Sequence, residues 1–415
     1  MKKILLLSLA ALSTVTFSFA QGVGINATGA VPHSSAMLHV DAGTSTTKGL
    51  LVTGTYNASG TVPDLGAGSR LMFYPAKAAF RSGYVTGTQW DNINVGLYSV
   101  AMGNNTIASG FYSTAIGNVT TANGNYSTAM GNNTVASGAN STAMGINTIA
   151  SNISSTAMGN NTIASGTNST AMGNFTTANG NSSTAMGINT VASGIFSTAM
   201  GRNTIASGAN STAMGSFTTA SGNNSTAMGN NVSTNLKNGA FIIGDAFGTG
   251  SSSSADNEMT MGFLGGFRLY TNSGATSGVL LPANGNAWLS VSDINRKENF
   301  EPLDGEEVLR KISKIEFTSW NYKQQDPKIY RHYGIMAQDF YKAFGHDQFG
   351  TVGNDTTVNP IDMIGIDMTA IQALEKRTVE LKNENERLKT SVAELQKKFT
   401  EQQKLIEQIL NNTKP

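Results

Sequence analysis

The chain has 415 residues, with Lys+Arg 27 against Asp+Glu 26 and only 13% charged residues. A near-neutral chain without a basic stripe excludes a nucleic-acid binder. With Cys 0, it also excludes disulfides, thiolate metal sites, lipoprotein anchoring and cysteine nucleophiles.

The first twenty residues read as an export signal. Lys2 and Lys3 precede an apolar run from Leu5 to Leu12, and Ser18 and Ala20 are small residues at cleavage spacing. Gln21 then begins the mature chain. The run is too short to span a bilayer comfortably, and no other segment is apolar enough. The expectation is a secreted or cell-surface protein with no transmembrane segment in its mature form.

Residues 21–98 predict a small β segment. Leu38-His39-Val40, Gly49-Leu50-Leu51-Val52 and Arg70-Leu71-Met72-Phe73-Tyr74 are short β-like runs among Gly, Ser and Thr. His33 and His39 have no acidic or further His partner nearby, so no metal and no cofactor is expected.

Residues 99–234 are repetitive. Between Asn92 and Leu236 the only charged side chain is Arg202, and Ser-x-Ala-x-Gly recurs at every fourteenth position from Ser99 to Ser225. A second unit, such as Thr106-Ile107-Ala108-Ser109-Gly110, lies between copies. Fourteen residues cannot hold a strand and a crossover helix. They can hold two strands of four or five residues and two tight turns, with the glycines supplying positive φ. Ser, Ala and Gly alternate with Thr and Met or Ile, so the two sets face opposite ways. Which set lines the coil and which meets a neighbouring chain stays open. Coils stacked at about 4.8 Å would make a rod of roughly 50 Å. One coil is thin, so neighbouring chains are expected to complete the core.

This pattern resembles the head repeat of YadA-type trimeric adhesins. The resemblance implies a parallel β-roll in each of three chains, hence a homotrimer. In adhesins such heads contact matrix or other surfaces, but the same units also serve as spacers. No cluster of aromatics or charges stands out within the repeat, so spacer is the reading here and any surface ligand stays unknown. The Met stripe from Met130 to Met228 reads as packing. Residues 235–291 leave the period. Phe241-Ile242-Ile243-Gly244 and Phe267-Arg268-Leu269-Tyr270 are expected strands of a neck or cap, which a repeat array needs at its ends.

Residues 292–370 read as a small α+β domain. A helix is expected over 306–315, a strand over 315–322, and a strand passing into a helix over 334–340. Ser292, Asp293 and Lys297, followed by Gly334, Ile335, Ala337, Gln338 and Asp339, resemble the intramolecular chaperone, auto-processing domain of phage tail spikes and endosialidases. Its signature is Ser-Asp-x-Arg-x-Lys, a Gly-Ile-x-Ala-Gln-(Asp/Glu) strand and a C-terminal helix. The resemblance spans about 292–376 and implies a single-turnover serine endopeptidase. A Ser292–Lys297 dyad would cut the Val291-Ser292 bond in its own chain. Serine needs a base to take its proton, and lysine serves only when neutral; Arg296 and the apolar flank are the expected means. The chain departs from the signature at one position, where Asn295 stands for the family Arg and Arg296 follows it.

Residues 371–411 keep a heptad. Ile371, Thr378, Asn385, Val392, Phe399 and Ile406 form one seam position, and Leu374, Leu381, Leu388, Leu395, Gln402 and Ile409 form the other. The seam alone slightly favours two strands, while both resemblances imply three. The whole chain therefore reads as mainly β: a trimeric parallel β-roll, then a small α+β chaperone domain and a coiled coil. The expected function is an exported homotrimeric fibre whose C-terminal domain assists trimer assembly and cuts itself free. The alternative is a trimeric surface adhesin in which that domain is a non-cleaving clamp.

Overall fold

The computed structural model describes residues 23–26, 29–45, 47–245 and 250–412. The export signal read over 1–20 lies outside them. The chain divides into two units, Met1–Tyr270 with Gly278–Leu289, and Thr271–Ser277 with Ser290–Pro415.

The first unit is a parallel β-roll. Each coil contributes one five-residue strand to a 14-stranded sheet and one two-residue strand to an 11-stranded sheet. Thr142–Ile146, for example, lies in register between Thr128–Asn132 and Thr156–Asn160, with Ala143 opposite Ala129 and Ala157. The second strand is shorter than the four or five residues expected, as at Ile149–Ala150. Two turns consume the remainder of a fourteen-residue coil.

The alternation settles which face is inside. Ser99, Ala101, Thr106, Ala108 and their counterparts along the roll are buried, whereas Met102 and Met130 remain 39% and 38% exposed. Each chain thus closes its own interior with small side chains and leaves the Met and Ile columns, with aromatic turn residues such as Phe175 and Phe217, on its outer surface. The inward Ser hydroxyls are used locally: Ser127 Oγ donates to the Gly124 carbonyl at 2.6 Å, as Ser113 does to Gly110 at 2.7 Å. Two buried alanine methyls per coil contribute only about 1.5 kcal/mol, so the coil-to-coil backbone ladder carries much of the cohesion.

The glycines act differently from the expectation. The turn residues with left-handed backbone are non-glycine: Asn105, Asn133 and Asn147 at one turn, Tyr98, Tyr112 and Tyr126 at the other, with φ between 52° and 59°. Asn tolerates this conformation; for a bulky residue it costs on the order of 1–2 kcal/mol. The motif glycine sits inside the strand instead. At Gly145 φ is 125°, and an added Cβ would lie 2.0 Å from the Gly159 carbonyl oxygen. The motif needs glycine because successive coils approach too closely for any side chain.

A hairpin closes the N-terminal end of the roll. Gly68–Tyr74 pairs antiparallel with Ala79–Val85, which runs parallel to Val100–Asn104 and sets Arg81 opposite Ala101. Arg81 therefore points into the roll, fully buried. Its guanidinium donates to the Ser99 carbonyl at 3.0 Å, the Ser99 hydroxyl at 2.8 Å and the Ala108 carbonyl at 3.0 Å. Lys77 Nζ donates to the Asn92 and Val95 carbonyls, and Trp90 Nε1 to the Thr106 carbonyl. No carboxylate is among these partners. Burial pushes Arg81 down to about 10, and burial with the nearby Arg81 charge lowers Lys77. The expected run Gly49 to Val52 forms no strand and is exposed.

Beyond residue 234 the period is lost but stacking continues. Phe241–Gly244 pairs with the strand at Thr226, and Met259–Gly262 pairs with Phe241–Gly244. An antiparallel hairpin, Gly266–Tyr270 with Gly278–Pro282, follows.

The second unit holds three helices and a short hairpin. Helix α1 is Gly305–Ile312, α2 is Ala337–Phe344 and α3 is Pro360–Asn412. Thr318–Trp320 pairs antiparallel with His332–Gly334. Asp304 caps α1 by accepting from the Glu306 and Glu307 amides at 2.9 and 3.3 Å, and Pro360 starts α3 where a missing amide costs nothing. Glu306 on α1 forms a bidentate pair with Arg377 on α3. Buried apolar residues here are few: Val308, Phe340, Ala370 and Ala373. The heptad seam lies on one uninterrupted helix, with Leu381 59% and Leu395 64% exposed. Among the described residues, no helix is long and apolar enough to cross a membrane.

Candidate functional site

The Ser292–Lys297 segment curls because Asp293 caps it. Its carboxylate accepts from the Asn295 backbone amide and from Asn295 Nδ2, both at 3.0 Å. Residues Ile294–Arg296 form a single 3-10 turn, closed by the Arg296 amide on the Asp293 carbonyl and the Lys297 amide on the Ile294 carbonyl. The turn brings position 297 back beside position 292. The long lysine side chain then spans the gap, and Lys297 Nζ donates to Ser292 Oγ at 2.7 Å. That distance is within reach for a nucleophile and its base.

The two Asn295 donors, with Arg296 adding a weaker attraction, hold the Asp293 carboxyl below the usual carboxylate range. Arg296 stands 3.8 Å from Asp293 and reaches the Ala275 carbonyl at 3.5 Å, the limit of a hydrogen bond. Its guanidinium is thus engaged away from the Ser292–Lys297 pair. Both members of that pair are exposed in the single chain, and Val291 on the other side of the bond is half-buried. Asn295 does structural work in the turn; it is not a vacant substitute for arginine.

The downstream motif residues lie on other elements. Gly334 ends its strand opposite Thr318, and Gln338 and Asp339 occupy the first turn of α2. An acidic residue there complements the helix dipole. Among the described residues, no hydrogen bond or ion pair joins Gly334, Gln338 or Asp339 to Ser292 or Lys297. Trp320, Tyr322 and His332 cluster on the neighbouring hairpin, with ring centroids 4.7 to 5.5 Å apart.

A cavity of about 350 Å³ lies among α1, α2 and α3, lined by Leu303, Val308, Phe340, Phe344 and Ile366 together with Lys311 and several acidic residues. Neither Ser292 nor Lys297 lines it, so it is not where peptide chemistry would occur. Among the described residues, no group of His, Asp or Glu is placed to hold a metal ion. Sequence reasoning missed Asp304 and the Glu306–Arg377 pair. The first was marked by Asp304 preceding the two glutamates of a helix start. The second joins residues too far apart for any local pattern to reveal.

Family comparisons match both parts of the chain. Residues 292–347 match the family described as chaperone of endosialidase, beginning at Ser292 itself. The YadA head domain repeat matches in overlapping windows from residues 95–120 to 206–231. No curated protein matches the chain.

Proposed function

We propose that the protein is an exported or surface-displayed homotrimeric fibre, and that its C-terminal domain over 292–370 is an intramolecular chaperone for trimer assembly which cleaves itself at Val291-Ser292. The observation that supports cleavage is the 2.7 Å bond between Lys297 Nζ and Ser292 Oγ at the first residue of the matched chaperone segment. The head repeats support the trimer, and the open heptad seam supports association between chains.

Ser292 follows the scissile bond directly, so its hydroxyl reaches the Val291 carbonyl carbon through a five-membered ring. Lys297, in its neutral form, takes the hydroxyl proton. The Ser292 Oγ–Val291 carbon bond forms, and the Val291 carbon–nitrogen bond breaks. The Ser292 amine leaves with the proton returned by Lys297. Water then hydrolyses the ester, leaving a Val291 carboxylate and a C-terminal fragment that begins at Ser292. Lysine reacts this way only where solvation is reduced or a second cation is near. Trimer assembly around this exposed segment is a natural trigger. Release of the chaperone would leave a fibre that is trapped kinetically.

Mass spectrometry of the expressed full chain tests the proposal. A fragment starting at Ser292 is expected, and Ser292→Ala and Lys297→Ala should each remain intact. Identical bands from all three chains, if cut, exclude the dyad. An uncut parent supports the second reading, a non-cleaving clamp, which the engagement of Asn295 with Asp293 in place of a free arginine favours.

A further inference from the structure

The roll carries an aromatic feature that its sequence reading as a plain spacer overlooks. Tyr98, Tyr112 and Tyr126 occupy the same turn of successive coils, so stacking of the coils stacks their rings. Ring centroids are 4.7 Å apart for Tyr98–Tyr112 and 5.0 Å for Tyr112–Tyr126, with planes within 13° and 5° of parallel. Tyr56 adds a fourth ring on Tyr98 at 5.3 Å and 19°. Phe111, at the neighbouring position of the same turn, is 50% exposed, and Tyr126 is 60% exposed.

Two features argue that this is a binding strip. At the left-handed turn position that every coil shares, other coils place Asn140, Ser154, Asn168 or Phe196, so the run of three tyrosines is a choice of side chain. The strip is confined to the coils nearest the N-terminal hairpin, so it is not a requirement of the fold. Finally, the surrounding surface is uncharged: between Asn92 and Leu236 the sole charge is Arg202, coils away.

We propose that the Tyr56–Tyr98–Tyr112–Tyr126 strip, with Phe111, binds an extended neutral polysaccharide laid along the roll axis. Stacked rings cover one another's faces and present edges and hydroxyls outward. Ring edges carry positive partial charge and phenols both donate and accept, which suits a ligand rich in hydroxyl and ether oxygens. A sugar unit of an extended chain is about as long as one coil is thick, so successive units meet successive tyrosines. The absence of Lys and Arg disfavours acidic glycans and nucleic acids.

Native gels containing hydroxyethylcellulose, galactomannan or dextran test this with the full chain. Retardation by at least one is expected. A Tyr98→Asn, Tyr112→Asn, Tyr126→Asn variant should lose it tenfold or more in apparent Kd. Asparagine is a residue that other coils use at this turn, as at Asn140 and Asn168, and an unchanged melting curve verifies that the roll persists. No retardation by any of the three polymers overturns the proposal, as does equal retardation of the variant. Retardation only by charged polygalacturonate, or binding of a proline-rich peptide instead, also overturns it. Cleavage at Val291 plays no part in the outcome.

Discussion

The roll and the C-terminal unit solve the problem of a core in opposite ways. In the roll, every coil buries its own Ser, Ala and Thr, and each strand between the sheet ends finds both neighbours within the same chain. In the C-terminal unit, four buried apolar residues hold three helices while the heptad seam lies open. The roll is therefore internally complete but repetitive, and offers little to distinguish one coil from the next. The C-terminal unit is incomplete alone but unique in sequence. A partner chain adds most where the single chain buries least, and register is set most firmly where the sequence does not repeat.

Truncation tests this contrast most severely. Removing Ala373 onward should abolish soluble trimer during expression, whereas trimming the helix by protease from an already assembled, uncut Ser292→Ala trimer should leave the trimer intact. A slip of one coil keeps every roll side chain on its proper face, so the roll cannot reject it, while Asn385 in the seam penalises misalignment. Light scattering on the two preparations decides. Heat-resistant trimers from the truncated chain would show that this end does not guide assembly.

Within the roll, Gly145→Ala should cost about 3 kcal/mol or more, because the new methyl meets the Gly159 carbonyl and φ is positive. Thermal unfolding with limited proteolysis would show whether damage spreads from that coil. Survival of the roll with little loss would mean that coils separate more easily than the spacing implies.

Next in size is Arg81→Ala, expected to destabilise the roll by about 2–4 kcal/mol through lost charge-assisted bonds and a cavity at its end. Hydrogen exchange should show the first coils opening before the middle ones. Uniform protection would deny Arg81 its capping role. The smallest effect is expected for Gly365→Ala in α3, where an added Cβ meets nothing within 4 Å. It should stabilise the helix by up to about 1 kcal/mol. Opposite signs for the two glycine substitutions would separate close coil approach from ordinary helix propensity.

Much of this molecule was legible in the sequence. The fourteen-residue period fixed a parallel roll, because so short a unit admits only coil stacking. The alternation fixed two faces, and the heptad fixed a long helix. Local pattern suffices for these because each depends on neighbours along the chain. Tertiary structure decided the rest. It showed that Ser and Ala line the interior, that glycine answers to the adjoining coil and not to the turn, and that Arg81 plugs an end. It turned three tyrosines fourteen residues apart into one stack, and it tied Asn295 to Asp293. Each of these depends on which atoms meet across coils or turns, and distance in space between such atoms is not written in their order along the chain.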